Sequence, residues 1–220
     1  MCRGDKLMIV KELTKQAKEY LEDFCTFCEQ EEDRIIYKTE NFTVWLSLGQ
    51  IVEGYCLIIP NDHYHCMGAL PSQLHNEYFS LKLKIRDVLT TIYGGCIFYE
   101  HGRVGVCNVQ PGEQLCYHAH IHAVPIKADL LPYFEEDMIP LKIDYTEMFD
   151  YYKKIGHYLF YEDANGQSYI FFVNQPIRRQ YLRYLTAKSI GNEELSDWEK
   201  YPGWEEIGNA KRKLIPLLDL

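Results

Sequence analysis

The sequence predicts an α+β fold in which an antiparallel sheet of about five strands carries a long helix on one face. Apolar runs within 35–48 and 55–65, separated by turn residues, predict three of the strands. Residues 71–92 begin with Pro and Ser and repeat apolar residues at helical spacing, which predicts the helix. An Asn-Gly pair between two aromatic runs in 157–174 predicts a hairpin.

The other elements follow from the same helical and strand periodicities. In chain order the predicted elements are a helix over 8–24, two strands within 35–48, a strand over 55–65, a helix over 71–92, strands over 96–102 and 116–126, a hairpin over 157–174 and a helix from 176. Beyond residue 130 the chain becomes rich in acidic residues and tyrosines. We therefore divide it into a domain over 1–130 and a C-terminal extension over 131–220 that packs on it.

Composition and charge limit the kinds of function that we expect of this protein. The 220-residue chain is long enough for one sizeable domain or for a domain with an appendage. Its formal net charge of −9 argues against indiscriminate binding to nucleic acid or to an anionic membrane, although one basic pocket is compatible with it. No stretch approaches the roughly 18 apolar residues of a membrane span, and no signal peptide precedes the first charges. We therefore expect a cytoplasmic protein without a membrane partner.

Two of the eight cysteines form the motif Cys25-x-x-Cys28. In a reducing compartment such a pair is more often a metal or redox site than a disulfide. A redox pair is expected at a helix N-terminus after a strand, whereas this pair follows a predicted helix. As half of a tetrahedral zinc site, it needs two more ligands, for which His63 or His65 and a histidine of 118–122 are candidates. Two unrelated core cysteines are the alternative.

Three histidines recur at alternate positions in the segment CYHAHIHAVPI, residues 116–126. On one strand, His118, His120 and His122 would share a face while the apolar residues between them enter the core. Such a stripe can supply metal ligands, a nucleophile with helpers, or the polar face of a solvated strand. Three neutral imidazoles can ligate one zinc, so a metallohydrolase is one alternative.

Four segments of the sequence resemble the histidine triad (HIT) family. HAHIHAV matches its pattern of alternating histidines, and GYCLIIPNDHYH is similar to its strand that ends in Pro-x-x-His. Together with CTFC and CIFYEHG, they resemble the zinc-bearing branch that includes CwfJ-type and "FEHG" HIT-like proteins. The resemblance implies a HIT-like sheet, a nucleotide-type substrate and, by default, a homodimer, unless the C-terminal extension covers that surface.

The resemblance also implies a role for each histidine of the stripe. His120 matches the nucleophile, which attacks the α-phosphate of a nucleoside 5′-phosphate derivative and forms a covalent nucleotidyl-histidine. Water or another acceptor would then complete a hydrolase or transferase reaction. His122 matches the residue that steadies a phosphate oxygen. The ligands of structural zinc implied by the resemblance are Cys25, Cys28, His63 and His118.

The substrate pocket departs from the family pattern at two positions. Leu115 stands where HIT hydrolases carry Ser or Thr, and Ser47 stands where the ribose-binding Asp is expected. We therefore expect retained catalysis on an altered substrate, with the Gln114 side chain and the main chain at Gly112 contributing to phosphate binding. A non-catalytic CwfJ-like module that binds nucleotides or RNA ends is the main alternative.

Two charged groups are further candidates for substrate binding. Glu100 and His101 end the predicted strand 96–102, where they position a leaving group or acceptor, or else simply form a solvated strand terminus. A basic cluster in this acidic protein suits phosphate or a nucleic-acid end, because arginine forks match phosphate geometry. A solvated helix face paired with nearby acids is the alternative. The cluster consists of Arg178, Arg179, Arg183 and Lys188.

Overall fold

The computed structural model describes residues 25–29, 31–106 and 117–219. The predicted helix over 8–24 lies outside the described residues, as do Gly112, Gln114 and Leu115. None of the described helices has both the length and the apolar character needed to cross a membrane.

Eight strands of the described chain form one sheet, and all of its neighbouring strands are antiparallel. The strands are β1 (Ile35–Lys38), β2 (Phe42–Leu46), β3 (Cys56–Pro60), β4 (Ile97–Gly102), β5 (Ile121–Val124), β6 (Pro140–Ile143), β7 (Tyr158–Glu162) and β8 (Ser168–Phe171). Their order across the sheet is β1-β2-β3-β5-β4-β7-β8-β6. The strands predicted from the apolar runs before residue 103 are confirmed.

Five α-helices are described, with short 3₁₀ turns between several elements. The helices are α1 (His75–Tyr93), α2 (Leu131–Glu135), α3 (Met148–Ile155), α4 (Tyr181–Ser189) and α5 (Trp204–Leu218). The 3₁₀ turns are Glu32–Arg34, Met67–Ala69, Ser72–Leu74, Tyr145–Glu147 and Glu193–Ser196. The long helix predicted over 71–92 is confirmed, although a 3₁₀ turn occupies its first residues and α1 begins at His75.

The predicted α+β class is confirmed, but the count of about five strands is too low. The C-terminal hairpin continues the sheet, because β7 pairs with β4 from Phe98↔Glu162 to Gly102↔Tyr158. The outer strand β6 was hidden by its acidic, tyrosine-rich surroundings and by its mostly exposed side chains. Both edges of β4 are occupied within the chain, by β5 and β7. The homodimer stays a prediction, and it would need a surface other than these edges.

Helices cover both faces of the sheet, so that its central strands β2, β3, β5 and β7 are buried on two sides. On the first face, α1, α3 and α5 pack over side chains such as Ile58, Phe98 and Ile121. We call the other face, which bears Tyr55 and Tyr99, the histidine face; α2 and α4 pack over it. Strands buried on both faces read as continuous apolar runs, which explains the sequence of β3.

The hairpin predicted around the Asn-Gly pair is confirmed as β7 and β8. Its loop is organised by Asp163, whose carboxylate accepts hydrogen bonds from the main-chain N–H groups of Asn165 and Gln167. Gly166 has φ of 86°, a left-handed conformation that costs glycine little.

The helix predicted from 176 begins later than the sequence indicates. Ile177 instead forms a parallel bridge with Val106, so the chain is not helical before Tyr181. A further helix, α5, follows and packs against α1 and β1; the sequence pattern did not predict it. The C-terminal segment therefore supports both faces of the sheet, α4 on the histidine face and α5 on the first face.

Candidate active site

The three histidines precede and enter β5, which begins only at Ile121. The prediction that all three lie on one strand is therefore wrong in extent, because only His122 belongs to the strand. The Ala119 N–H donates to the Tyr64 carbonyl instead of to a neighbouring strand. The alternation itself is retained, since the apolar residues between the histidines enter the core of the first face.

His120 is fixed by the main chain of its own segment. Its Nδ1 lies 2.8 Å from the His118 carbonyl oxygen, which can only accept a hydrogen bond. Nδ1 therefore carries the proton, and Nε2 of the neutral ring holds a free lone pair. The ring is partly buried and stacks on Phe27, with centroids 4.8 Å apart and planes 18° apart. Burial lowers the pKa of His120 to about 4, which keeps the ring uncharged at neutral pH.

His122 is buried and belongs to a chain of hydroxyl groups. Its Nδ1 lies 2.6 Å from the Tyr55 hydroxyl, which lies 2.8 Å from the Tyr99 hydroxyl. The Thr186 hydroxyl, on α4, follows at 3.1 Å from that of Tyr99. Burial, with His120 and Arg183 nearby, lowers the pKa of His122 well below its usual range. The rings of His120 and His122 are 4.8 Å apart, so the two imidazoles form one site.

Two cysteines and two histidines, one of them His118, form a cluster of possible metal ligands. The ligand atoms of Cys25, Cys28, His63 and His118 all lie within 4.8 Å of one another. His118 Nδ1 is 3.5 Å from Cys25 Sγ and 3.4 Å from Cys28 Sγ, and His63 Nδ1 is 3.3 Å from Cys28 Sγ. Tetrahedral zinc with ordinary bond lengths separates sulfur and nitrogen ligands by about 3.5 Å. The four residues therefore fit zinc in number, type and spacing.

The orientation of His118 also suits a metal ligand. Its Nε2 lies 2.8 Å from the Pro60 carbonyl, so that this nitrogen carries the proton and Nδ1 offers its lone pair to the cluster. In the described part of the chain, no other group of three or more potential ligands converges in this way. His65 is close to His63 but is not a member of the group.

The family model of the HIT domain matches residues 29–129. These residues are a HIT domain. The match contains His63 and the three stripe histidines, and it ends before α2, so that α4 and the hairpin lie outside the HIT domain. A comparison with curated protein sequences gives no match.

Solved structures similar to the chain include several members of the same family. One is a HIT family protein from Bacillus anthracis, with 25% identity over 47% of this chain and 73% of that one, and a TM-score of 0.37. A zinc-bound histidine triad family protein from Mycobacterium smegmatis has 19% identity over 47% and 76%, with a TM-score of 0.35. A hypothetical histidine triad nucleotide-binding protein from Sulfolobus tokodaii has 20% identity over 87% and 97%, with a TM-score of 0.34. The assignment depends on the family match, not on these partial superpositions.

Ser47, at the position of the expected ribose-binding Asp, contacts an arginine from outside the HIT domain. Arg183, on α4, is buried; its guanidinium donates to the Gly49 carbonyl at 2.7 Å and lies 3.4 Å from Ser47 Oγ. Gly49 has φ of 71°, and a Cβ there would collide with Arg183 and Trp198. Glycine is thus required both by the backbone conformation and by the arginine.

Glu100 and His101 lie on opposite faces of β4 in the HIT domain. Glu100 is buried on the first face, where it accepts hydrogen bonds from the Met67 N–H and the Tyr158 hydroxyl. The structure therefore does not bring Glu100 to the histidines, because neighbouring strand residues point to opposite faces. His101 does face His120 and His122, and its buried Nε2 has no hydrogen-bond partner among the described residues.

Of the three arginines in the predicted basic cluster, only Arg183 approaches the site. Arg178 is exposed and packs over the Tyr184 ring at 3.7 Å, and Arg179 is also exposed; both precede α4. Arg183 of the same basic cluster reaches the histidine face, because it lies on the buried side of α4 beside Leu182 and Thr186. The three- and four-residue spacing of apolar side chains in α4 is the sequence signal for this choice.

Tyr55 and Tyr99 were not among the predicted site residues. A weak signal exists for Tyr99, which lies two residues before His101 and therefore on the same face of the strand. For Tyr55 the sequence offers no comparable signal, since its place beside His122 depends on the pairing of β3 with β5.

Proposed function

We propose that the chain is a nucleotide hydrolase or nucleotidyltransferase in which His120 forms a covalent bond to the α-phosphorus of a nucleoside 5′-phosphate derivative. The observation that carries this proposal is the hydrogen bond between His120 Nδ1 and the His118 carbonyl. It leaves Nε2 as the free nucleophilic nitrogen on an uncharged ring, which is the form of imidazole that attacks phosphorus.

The two displacements are balanced as follows. Attack by Nε2 forms a P–N bond while the bond between phosphorus and the leaving group breaks, and the leaving group takes up a proton from solvent. The nucleotidyl-imidazole is then cationic and keeps Nδ1–H, which still donates to the His118 carbonyl. Water or another hydroxyl acceptor then forms a P–O bond as the P–N bond breaks, its proton is released to solvent, and the neutral ring is regenerated. Two easier steps thus replace one difficult displacement.

Charge on the phosphoryl oxygens requires nearby hydrogen-bond donors. His122 is one candidate donor, because its ring lies next to that of His120, the proposed nucleophile. His101 is a further candidate, because its buried Nε2 faces the same imidazoles. The Gln114 side chain and the main chain at Gly112 stay predictions for phosphate binding, and Ser47 stays one for the nucleoside portion.

We also propose that zinc bound by the Cys25, Cys28, His63 and His118 cluster is structural. Bound zinc would join the 25–28 turn to the loop after β3 and to the histidine segment. The His118 side chain would then be fixed by the metal while its carbonyl orients His120. Phe27, between the two cysteines, packs on the ring of His120. The cluster therefore supports the nucleophile without taking part in the reaction.

The metallohydrolase alternative is disfavoured by the directions of the three imidazoles. His118 Nδ1 faces the thiols, His120 Nδ1 faces a carbonyl, and His122 Nδ1 faces Tyr55. With its Nδ1 at the thiols and its Nε2 at the Pro60 carbonyl, His118 has no nitrogen left for a zinc shared with the other two histidines.

Trapping the intermediate tests the proposal. The zinc-loaded protein is mixed with a panel of nucleoside 5′-phosphate derivatives, including RNA with a 5′-terminal phosphate derivative, and quenched for intact-protein mass measurement. We expect an acid-labile nucleotide adduct in the parent and in the His157→Ala control, whose histidine lies outside the site. His120→Ala should show neither adduct nor turnover. Binding without any adduct would support the non-catalytic module instead, and an adduct that persists in His120→Ala would refute the nucleophile.

A further inference from the structure

We propose that Tyr55, Tyr99 and Thr186 are positioning residues that hold His122 as the neutral tautomer with its proton on Nε2. In this form His122 donates from Nε2 to a phosphoryl oxygen of the substrate. The inference rests on the proposed function for the role of His122, but the tautomer itself is a property of the protein without substrate. It makes α4, which lies outside the HIT domain, a part of the active site.

The first step is that His122 remains neutral. Its ring is buried, the His120 ring lies 4.8 Å away, and the Arg183 guanidinium lies 5.1 Å from the centre of the neighbouring Tyr55 ring. A positive charge on His122 would be desolvated and would face another cation. The lowered pKa of His122 agrees with this conclusion.

The second step is that a neutral imidazole has only one N–H. Phosphoryl oxygens accept hydrogen bonds and cannot donate them, so His122 can bind one only if the proton is on Nε2. Nδ1 must then accept a hydrogen bond. Its partner is the Tyr55 hydroxyl, at 2.6 Å, which must therefore be the donor.

The third step counts the remaining hydroxyl protons. Tyr55 has a single proton, and donation to His122 leaves it as the acceptor in its contact with Tyr99. Tyr99 must donate to Tyr55 and in turn accepts from Thr186, whose hydroxyl is oriented to donate to it. Burial raises the pKa values of both tyrosines, so each keeps the proton that this chain requires.

The reverse orientation of the chain would produce the other tautomer. Thr186 Oγ1 also lies 2.9 Å from the Leu182 carbonyl, and donation there would leave Tyr99 to donate to Thr186. Tyr55 would then donate to Tyr99, and His122 would carry its proton on Nδ1. The Leu182 carbonyl lies in a regular helix, where it already accepts the main-chain N–H four residues later. The Leu182 carbonyl therefore keeps a donor when Thr186 donates to Tyr99, whereas the Tyr99 oxygen would lose its only donor in the chain if Tyr99 donates to Tyr55 and Thr186 turns away.

Ring ¹⁵N NMR of the zinc-loaded protein tests this inference, because pyrrole-type and pyridine-type nitrogens have distinct shifts. The His122 signals are identified by their loss in His122→Gln. We expect a pyrrole-type Nε2 and a pyridine-type Nδ1 in the parent. Tyr55→Phe removes the donor to Nδ1, so the Nδ1 signal should move towards that of a pyridine-type nitrogen without a hydrogen bond. Thr186→Val should move it less in the same direction, because it removes only the far end of the chain. Tyr161→Phe is the matched control: its buried hydroxyl contacts Asp129 and Leu130 on the same face, and it should leave the His122 shifts unchanged.

Steady-state kinetics of the same variants are the second test of the inference. Tyr55→Phe removes the hydroxyl that orients the His122 donor in the transition state, so it should lower kcat by up to about 10²-fold with KM little changed. Thr186→Val, which preserves shape, should lower kcat in the same direction and keeps the test available if Tyr55→Phe fails to fold. A parent with its proton on Nδ1, or variants with the parental Nδ1 shift, would overturn the inference. Failure of the proposed function is recognised separately, as the absence of an adduct on His120 while the NMR shifts follow expectation.

Discussion

The chain around His120 is supported in two different ways, at His118 before it and at His122 after it. On one side the cluster of Cys25, Cys28, His63 and His118 fixes the segment through side chains of the chain's first 118 residues. On the other side, His122 is held by hydroxyl groups, the last of which belongs to α4. The first support orients the proposed nucleophile through the His118 carbonyl, and the second orients the proposed phosphate donor. The difference teaches that the HIT domain contains the proposed nucleophile, while the C-terminal segment completes its surroundings.

Of the substitutions considered for these two supports, removal of a metal ligand should have the largest effect, and it should act on zinc content and stability. In Cys25→Ser, loss of one ligand should release about one zinc ion per chain and sharply lower the melting temperature, because metal-binding free energy at structural sites is folding free energy. Metal analysis and thermal unfolding measure both quantities. Cys96→Ala provides the control, since Cys96 is buried but outside the cluster and its variant should keep the metal. Parental metal content and melting in Cys25→Ser would remove the zinc assignment.

Replacing His122 should affect catalysis while leaving the metal side intact. His122→Ala is expected to lower kcat by about 10²–10³-fold, the usual cost of losing one donor to a developing oxyanion. Zinc content should equal that of the parent, because His122 is not a ligand. Steady-state kinetics and metal analysis on the same preparation separate the two supports. Loss of zinc together with activity would mean that the sides are not independent.

The cluster could be predicted from the sequence, whereas the hydroxyl chain could not. Metal ligands are chemically distinctive and two of them are close neighbours in the chain, so Cys25 and Cys28 were recognisable before the fold was known. Tyr55, Tyr99 and Thr186 are ordinary core residue types, and they meet only because β3, β4 and α4 pack together over long sequence separations. The pairing of β7 with β4 was missed for the same reason, since strand order is a long-range property.

Comparing two arginines tests how far the C-terminal segment enters the site. Arg183→Met should lower the free energy of unfolding by about 1–3 kcal/mol, because the buried Gly49 carbonyl loses its charged donor. Arg178→Met, from the same basic cluster but exposed, should change it by about 0.5 kcal/mol or less. Urea unfolding of the two variants gives both values. Equal effects would contradict the placement of Arg183 beneath the histidine face.

Glu100 should have the smallest effect on catalysis, because it lies on the face away from the histidines. Burial raises its pKa to about 7, so the folded state binds a proton that the unfolded chain has released. Its contribution to stability is therefore present at low pH and is lost as pH rises towards and through 7. Glu100→Gln should flatten this decline while kcat stays parental. An unchanged pH dependence, or a large loss of kcat, would contradict the assignment.

The stereochemistry of the reaction tests the central claim most directly. A substrate found in the adduct screen is prepared as a single diastereomer with sulfur at the α-phosphorus. The reaction is run in ¹⁸O-labelled water, so that the phosphorus of a hydrolysis product is also a stereocentre, and the configuration of the product is determined. Each in-line displacement inverts phosphorus, so attack by His120 followed by the acceptor should give overall retention. Overall inversion would show that the acceptor attacks the substrate directly, and it would contradict a nucleotidyl-His120 intermediate.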